Sequence, residues 1–334
     1  MRNLITDIPG LRVGHAGDAK LGSGTTAVIF DAAVVASVDV RGGGPGTRET
    51  ALLDPAQTVE GIDAIVLSGG SAFGLDAASG VQAWLREQGR GFRIRDAVVP
   101  IVPAAIMFDL LNGGDKNWGR YPPYRELGYA AAKAAGAEFG LGSVGAGLGA
   151  TTATLKGGVG SASAMTRDGV TVGALAVVNA VGSTVIGDGP HFWAAPFEQN
   201  KEFGGRGLPA QIAPSDLALR AKGGPGENTT IAVIATDARL SKAQCNRLAV
   251  MTQDGLARAI YPVHTPLDGD VVFAASTGAK ELADPVYGLA ELGMLAANVM
   301  ARAIARGVYE ASALSFPGAL PAWKDRFGPA TIKG

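Results

Sequence analysis

The chain has 334 residues, of which 47% are hydrophobic and 18% charged, which is enough apolar sequence for a sizeable core in one large or two ordinary domains. Its 29 basic and 30 acidic residues leave a net charge of −1, so charge gives no reason to expect nucleic acid or a membrane surface as partner. A single cysteine, Cys245, excludes an internal disulfide, and the three histidines lie far apart without a metal-binding spacing. We therefore expect a small molecule or short peptide as partner, and neither a metal nor another cofactor.

The N-terminus gives an expectation about location. The stretch MRNLITDIPG lacks the basic segment and apolar core of a secretory signal. No apolar run reaches the roughly 18 residues that a membrane helix requires. The sequence thus predicts a cytoplasmic protein.

The first part of the chain combines strand and helix patterns. Short apolar runs bounded by glycine predict strands at Thr26–Asp31, Ala33–Asp39 and Ile62–Leu67. Apolar residues at helical spacing then predict a helix over Ser71–Glu87, with the serine as its N-cap. A second, alanine-rich helix is predicted over Leu127–Ala135.

The middle of the chain is dominated by glycine and proline. A glycine-dense loop region is predicted over Gly140–Gly160, followed by a buried strand over Val170–Val178. The segment Gly187–Glu227 carries five prolines and little periodicity, which predicts a long connection. A connection of this length inside a compact chain is usually functional or mobile.

The last part of the chain alternates regularly. The pattern predicts a strand at Thr229–Thr236, a helix at Ser241–Ile260, a strand at Val271–Ser276 and a helix at Pro285–Arg306. Strands that alternate with helices favour α/β layers, and these strands are too apolar to leave a sheet face in water.

A hydroxyl residue stands where the glycine-rich connection meets a rigid apolar strand, in the sequence Gly226-Glu227-Asn228-Thr229. If the Asn228–Thr229 bond were cut, the threonine would gain an α-amine with a pKa of about 7.7–8.0, near enough to neutral to accept the proton of its own hydroxyl. One residue would then supply both nucleophile and base. A serine-hydrolase site is disfavoured, because the chain has no GxSxG motif. The pattern also fits an ordinary loop-to-strand transition.

A second group of candidates is the sequence Asp268-Gly269-Asp270, directly before a predicted strand. A helix separates this strand from the one that starts at Thr229, so the crossover makes the two strands parallel and their starts lie at one edge. If they are neighbours, both carboxylates come close to Thr229, and their i, i+2 spacing lets them face one side. They would orient the nucleophile or bind a substrate ammonium group. A solvated Asp-Gly turn is the alternative.

Several distinct motifs follow one another along nearly the whole chain. They are ITDIPGLRVGHA, VRGGGPGTRET, LSGGSAFGLDAASGV, VPAAIMFDL and the long stretch from ENTTIAVIATDA to HTPLDGDVVFAAST. Together they resemble the family of self-processing L-aminopeptidase/D-amino-acid esterases, which includes β-peptidyl aminopeptidases and the nylon-oligomer hydrolase.

The resemblance implies roles for individual residues. It implies that Asn228-Thr229 is the self-processing site and that Thr229 is the nucleophile. Asn179 looks like the family asparagine that stabilises the oxyanion, a role that suits an uncharged amide donor. Lys156 looks like the active-site lysine of the nylon-hydrolase branch, and a nearby cation would help to keep the threonine amine unprotonated.

The acidic pair and one aromatic residue distinguish this chain within the family. Asp268 and Asp270 match the acidic pair of the nylon-hydrolase branch, where other members have serine and glutamate. Phe108 stands where several members have an active-site tyrosine. A phenyl ring packs against a substrate but donates no hydrogen bond. The resemblance therefore implies that Phe108 binds substrate, with a specificity that differs from that of the members with tyrosine.

The resemblance also implies a fold and an activity. It implies a four-layer α/β/β/α sandwich, of the type shared with ornithine acetyltransferases, in which residues 1–334 form one folded unit. Autoproteolysis would give subunits 1–228 and 229–334, assembled as a homo-oligomer such as a tetramer of cleaved units. The expected reaction is hydrolysis of amides and esters of N-terminal amino acids or short peptides through an acyl-enzyme. An acyltransferase, or an inactive member that acts as a binding protein, is the alternative.

Overall fold

The computed structural model describes residues 1–222 and 228–328. Its strands are β1 (Leu11–Asp18), β2 (Ser23–Val40), β3 (Thr47–Arg48), β4 (Gly61–Ser68), β5 (Phe92–Ile94), β6 (Ala97–Val99), β7 (Ala104–Ile106), β8 (Gly158–Met165), β9 (Thr171–Asn179), β10 (Thr229–Ala238) and β11 (Val271–Lys280). Its α-helices are α1 (Ala77–Glu87), α2 (Tyr124–Lys133), α3 (Lys242–Ala257), α4 (Tyr287–Tyr309) and α5 (Trp323–Phe327). The end of the predicted connection Gly187–Glu227, from residue 223 on, lies outside the described residues.

The long strand β2 joins two groups of strands into one sheet. The strand order is β3-β7-β4-β2-β11-β10-β9-β8, with β1 paired to β2 as well. The first part of β2, residues 23–30, pairs with β1, whereas its last part, residues 35–40, pairs with β11. Strand β4 occupies the other edge of β2. We call β1, β2, β4, β7 and β3 the first arm of the sheet, and β11, β10, β9 and β8 the second arm.

Three hydrophobic clusters separate four layers. One lies between helices α1 and α2 and the first arm, and includes Ile29. A second lies between the two arms, where Val28 of β2 and Val233 of β10 belong to one cluster. The third lies between the second arm and helices α3 and α4, and includes Ile234. Because successive strand residues point to opposite faces, β2 and β10 each contribute to two clusters. The predicted α/β/β/α sandwich is confirmed.

The strand predictions at the start of the chain were wrong in detail. Thr26–Asp31 and Ala33–Asp39 belong to one continuous strand, β2, whose register with β4 shifts between Ile29 and Val34. The polar and small residues at 31–33 are exposed at this irregularity. An exposed irregularity inside a strand resembles a turn in the sequence, which explains the division.

The first predicted helix begins later than expected. Residues Ser71–Asp76 form 3-10 turns, and the α-helix starts at Ala77. Ser71 is not an N-cap, because it lies inside the 3-10 turns, after Gly70, and has a positive φ of 52°. Helix α2, in contrast, begins earlier than expected, at Tyr124 and not at the predicted Leu127.

The C-terminal predictions agree closely with the structure. Strands β10 and β11 are neighbours and parallel, with Ile231 opposite Val271. Ser241 caps helix α3, since its side chain accepts a hydrogen bond from the backbone of Gln244. This arrangement brings the starts of β10 and β11 to one edge, where the candidate residues lie.

Helix α4 is the one described helix that is long and apolar enough, by length and composition, to cross a membrane. Most of it is buried inside the fold, where it packs on α3, β8 and β9. A buried core helix passes the same test, so α4 is only weak support for a membrane segment.

Candidate active site

Thr229 is the first residue of β10, which lies between β9 and β11. In the antiparallel pairing with β9 it stands opposite Asn179. The preceding residue, Asn228, forms a parallel bridge with Asp268. Thr229 is buried, with 4% of its surface exposed. The structure thus brings the predicted nucleophile, oxyanion residue and acidic pair to one end of three adjacent strands.

The hydroxyl of Thr229 lies against the peptide bond that precedes it. Its Oγ1 donates a hydrogen bond to the carbonyl oxygen of Asn228. The backbone N–H of Gly269 donates to the same oxygen at 3.0 Å. A Cβ on Gly269 would lie 2.6 Å from the Thr229 hydroxyl oxygen, so only glycine fits here without moving the nucleophile.

The two predicted carboxylates hold backbone groups next to the predicted catalytic residues. Asp270 Oδ1 accepts a hydrogen bond from the N–H of Thr230 at 2.7 Å. Asp268 Oδ1 accepts one from the N–H of Val181 at 3.2 Å. Both acids are almost fully buried. Burial raises the pKa of Asp268, and the negative charge of Asp270 raises it further.

His264 binds the second carboxylate oxygen of Asp270, and Thr265 binds that of Asp268. The backbone N–H of His264 donates to Asp270 Oδ2 at 3.1 Å, and its ring Nδ1 lies 2.9 Å from the same atom. The backbone N–H and hydroxyl of Thr265 donate to Asp268 Oδ2 at 2.9 and 2.8 Å. Sequence reasoning missed both residues, although they stand only a few positions before the acids. We call residues 264–270 the acidic turn.

The glycine motif at 42–44 packs directly on the acidic turn. The N–H of Gly42 donates to the carbonyl of Asp270 at 3.2 Å, and that of Gly44 to the carbonyl of Asp268 at 2.8 Å. A Cβ on Gly42 would lie 2.3 Å from the backbone nitrogen of Asp270. The motif VRGGGPGTRET therefore contains glycine because two backbones meet there.

Asn179, which pairs with Thr229 across the two strands, has side-chain partners outside the acidic turn. Its Oδ1 accepts hydrogen bonds from the N–H of Thr151 at 3.0 Å and from Nζ of Lys222 at 2.9 Å. Its Nδ2 donates to the carbonyl of Phe108 at 3.0 Å. The side chain is thus held on both sides, with its amide N–H₂ group on the Phe108 side.

The amine of Lys156 is buried within a cage of backbone carbonyl oxygens. Its Nζ donates to the carbonyls of Gly147 and Ala150 at 2.8 Å and to that of Gly157 at 2.7 Å. Burial lowers the pKa of Lys156 to about 7, although the negative charge of Asp109 opposes this shift. Three carbonyl acceptors match the three N–H groups of an ammonium ion.

A cavity of about 460 Å³ adjoins the partners of Asn179. Phe108, Lys156 and Lys222 line it, together with Asp109 and a segment of residues 314–320. Thr229 is not among the described residues that line the cavity. The predicted lysine and phenylalanine therefore face the cavity, whereas the predicted acids lie in the acidic turn.

Asp109 is a buried acid that sequence reasoning missed, although it follows Phe108 directly. Its Oδ1 accepts a hydrogen bond from the N–H of Gly70 at 2.8 Å. Burial raises the pKa of its carboxyl, and the hydrogen bond from Gly70 opposes this shift. Gly70 has a positive φ of 88°, so the motif LSGGSAFG supplies the backbone turn that reaches this acid.

Metal ligands do not gather anywhere in residues 1–222 and 228–328. No group of three or more His, Cys, Asp or Glu side chains in these ranges is arranged to hold an ion.

Solved structures define the class of fold. The chain resembles a beta-aminopeptidase of Burkholderia sp. with a TM-score of 0.70 at 22% identity, covering 98% of this chain and 92% of that one. It resembles the L-aminopeptidase D-Ala-esterase/amidase of Ochrobactrum anthropi with a TM-score of 0.72 at 20% identity, covering 97% and 92%. That structure is described as a variant of the Ntn-hydrolase fold. The four layers described above are thus an Ntn-hydrolase type of architecture.

Sequence comparison defines the family. Residues 3–319 match Peptidase family S58, and the chain belongs to this family. An uncharacterized aminopeptidase of Mycobacterium tuberculosis is 46% identical over 347 residues, covering 97% of this chain and 98% of that protein. The 6-aminohexanoate-oligomer endohydrolase of Kocuria sp. is 30% identical over 310 residues, covering 88% and 80%. The predicted family is confirmed, and the protein is an aminopeptidase or amidohydrolase.

Proposed function

We propose that the chain cuts its own backbone between Asn228 and Thr229, and that the freed threonine then hydrolyses amides and esters of amino acids or short peptides. The observation that carries this proposal is the contact between the Thr229 hydroxyl and the carbonyl group of Asn228. A nucleophile must lie against the bond that it attacks, and this hydroxyl does so.

The self-cleavage proceeds by an N-to-O acyl shift in this proposal. The oxygen of the Thr229 hydroxyl bonds to the carbonyl carbon of Asn228, the C–N bond breaks, and the hydroxyl proton passes to the departing nitrogen. Water then hydrolyses the resulting ester. The N–H of Gly269, 3.0 Å from the carbonyl oxygen, is placed to stabilise the charge that develops on it.

The buried side chain of Asn228 supports release of this segment. Asn228 is 1% exposed, and both its Nδ2 and its Oδ1 are buried without a hydrogen-bond partner among the described residues. A buried amide without partners costs about 1–3 kcal/mol or more. Cleavage after this residue lets its side chain return to water.

The same threonine then acts on substrates. Its α-amine accepts the proton of the hydroxyl as the oxygen attacks the substrate carbonyl, and the amine or alcohol leaves with a proton. Water hydrolyses the acyl-enzyme in a second step. Asn179, opposite Thr229 on β9, is the proposed amide donor to the oxyanion. For this role its Nδ2 must turn from the carbonyl of Phe108 to the substrate.

The cavity suggests the substrate class. Its lining combines the apolar Phe108 and the 314–320 segment with the lysines Lys156 and Lys222. Such a surface suits a chain with an apolar stem and polar amide groups. Short peptides and linear amino-acid amides fit this description, in keeping with the aminopeptidase and 6-aminohexanoate-oligomer endohydrolase activities for which the relatives are named.

The two fragments stay together in this proposal. Strand β9, before the cut, pairs with β10, after the cut, from Thr229 to Thr236. The cluster between the two sheet arms also contains residues from both sides. Cleavage therefore breaks one covalent bond and leaves the sheet and core intact.

Intact-mass analysis of purified protein beside a Thr229→Ala variant tests the proposal. We expect two fragments from the wild-type chain, with one beginning Thr-Thr-Ile, and a single full-length mass from the variant. Incubation of the acyl-enzyme with ornithine separates hydrolysis from acyl transfer. Two full-length masses, differing only by the substitution, would overturn the proposal.

A further inference from the structure

His264 combines three unusual features close to the proposed nucleophile. It has a positive φ of 55°, a backbone conformation that is uncommon for residues other than glycine. Its backbone N–H and its ring Nδ1 both reach one oxygen of Asp270. Its Nε2 is buried without a hydrogen-bond partner among the described residues. The hydrogen bonding of the ring is therefore directed at Asp270.

Asp270 is the link between this ring and β10. It is 1% exposed, so an ionised carboxylate here needs hydrogen-bond donors to offset its loss of water. The N–H of Thr230 supplies one donor to Oδ1, and His264 supplies two to Oδ2. Because an ionised carboxylate is only an acceptor, Nδ1 of the ring carries the proton in this contact.

We propose that His264 is a positioning residue for catalysis: it fixes the Asp270 carboxylate, which holds the N–H of Thr230 and so aligns the Thr229 hydroxyl. This inference rests on the proposed function of Thr229. The chain of contacts runs from the ring to Oδ2, through the carboxylate to Oδ1, and on to the residue directly after the nucleophile. Loss of the ring leaves Oδ2 with one donor and frees the carboxylate to rotate.

The positive φ of His264 determines which variants are informative. Glycine adopts this conformation without strain and keeps the backbone N–H, but it removes the ring. Asparagine also tolerates it and carries a side-chain N–H₂ donor. His264→Gly and His264→Asn thus differ mainly in whether a side-chain donor to Asp270 is present.

The experiment measures self-cleavage rate, kcat and KM for wild-type protein and both variants, with thermal unfolding as a check on folding. We expect His264→Gly to slow self-cleavage and lower kcat by about 10- to 100-fold with little change in KM, because a small misplacement of a reacting group carries a penalty of this size. His264→Asn should recover most of the loss. Added imidazole should also restore His264→Gly in part, since the native ring is 22% exposed and its site is reachable.

The outcomes separate this inference from the proposed function. A wild-type chain that never cleaves contradicts the role of Thr229 itself. A wild-type chain that cleaves, beside a His264→Gly chain with unchanged rates, contradicts only the role of His264. If His264→Gly does not fold, the inference depends on His264→Asn: near wild-type rates support it, and a folded protein whose self-cleavage rate and kcat are about 10- to 100-fold lower overturns it.

Discussion

The two sides of the Asn179–Thr229 pair are built differently. On one side the acidic turn uses carboxylates to hold backbone N–H groups, and the glycines at 42–44 bring a second backbone against it. On the other side Lys156 and Lys222 donate to oxygen atoms beside an open cavity. The acidic turn is filled and fixed, whereas the cavity side has room for a ligand.

Under the proposed function of Thr229, this difference gives the two sides different tasks. A filled, hydrogen-bonded turn next to Thr229 suits the alignment of a nucleophile, which both self-cleavage and substrate turnover require. A cavity suits the recognition of a substrate, which only turnover requires. Variants in the acidic turn should therefore affect both reactions, and variants that only reshape the cavity should affect turnover alone.

Gly269→Ala should have the largest effect and should affect both reactions. The new Cβ would lie 2.6 Å from the Thr229 hydroxyl oxygen and 2.8 Å from the carbonyl oxygen of Gly44. Because the backbone on one side cannot move easily, the threonine must shift. We expect self-cleavage and kcat to fall by about 100-fold, the penalty for a displacement of about 1 Å. Time-resolved intact mass and steady-state kinetics measure the two rates.

Gly44→Ala is the matched control for this prediction. Among the described residues, its Cβ would meet only the carbonyl oxygen of Asp268, at 3.7 Å, which is an ordinary contact. We expect it to cleave and turn over substrate at nearly wild-type rates. Equal losses in both variants would show that the glycine-rich backbone, and not the position of the nucleophile, determines the rate.

Lys156 on the cavity side gives a prediction about pH. Its pKa is about 7 in the folded chain and about 10.4 in an unfolded one. Between these values the unfolded state binds a proton that the folded state lacks, so the unfolding free energy rises with pH. Measured against Lys156→Met, it should rise by up to about 1.4 kcal/mol per pH unit from pH 7 to 10, and show no such slope below pH 7. Denaturant unfolding of both proteins across this range is the measurement, and parallel curves would contradict it.

The layers of the fold could be predicted where each strand had its own apolar pattern. The regular alternation after Thr229 predicted β10, α3, β11 and α4, and the crossover rule predicted that β10 and β11 are parallel. Strand β8 was missed because its sequence, GVGSASAM, consists largely of small residues. A Cβ on Gly160 would lie 1.8 Å from the carbonyl oxygen of Ala303, so close packing of α4 requires glycine in this strand. Tertiary contact thus overrode the local strand signal.

The site could be predicted only in part for a related reason. A resemblance to relatives carries over the residues that those relatives are known for, and it predicted roles for Thr229, Asn179, Lys156 and the acidic pair. The resemblance did not predict which residues donate hydrogen bonds to the two acids. The bonds from His264 and Thr265 depend on the local conformation of the acidic turn, including a positive φ at His264 that its sequence does not signal.

Phe108→Tyr should have the smallest effect on the rates. It should show most clearly that the cavity affects substrate turnover and the acidic turn affects both reactions. Phe108 lines the cavity, and its contact with Asn179 is through the backbone carbonyl, which the substitution retains. The added hydroxyl brings a hydrogen-bond donor to the cavity without touching the acidic turn. We expect unchanged self-cleavage and a change in kcat/KM of less than about tenfold that differs between substrates, since one hydrogen bond contributes about 0.5–1.5 kcal/mol. A slower self-cleavage in this variant would show that the cavity and the nucleophile are not independent.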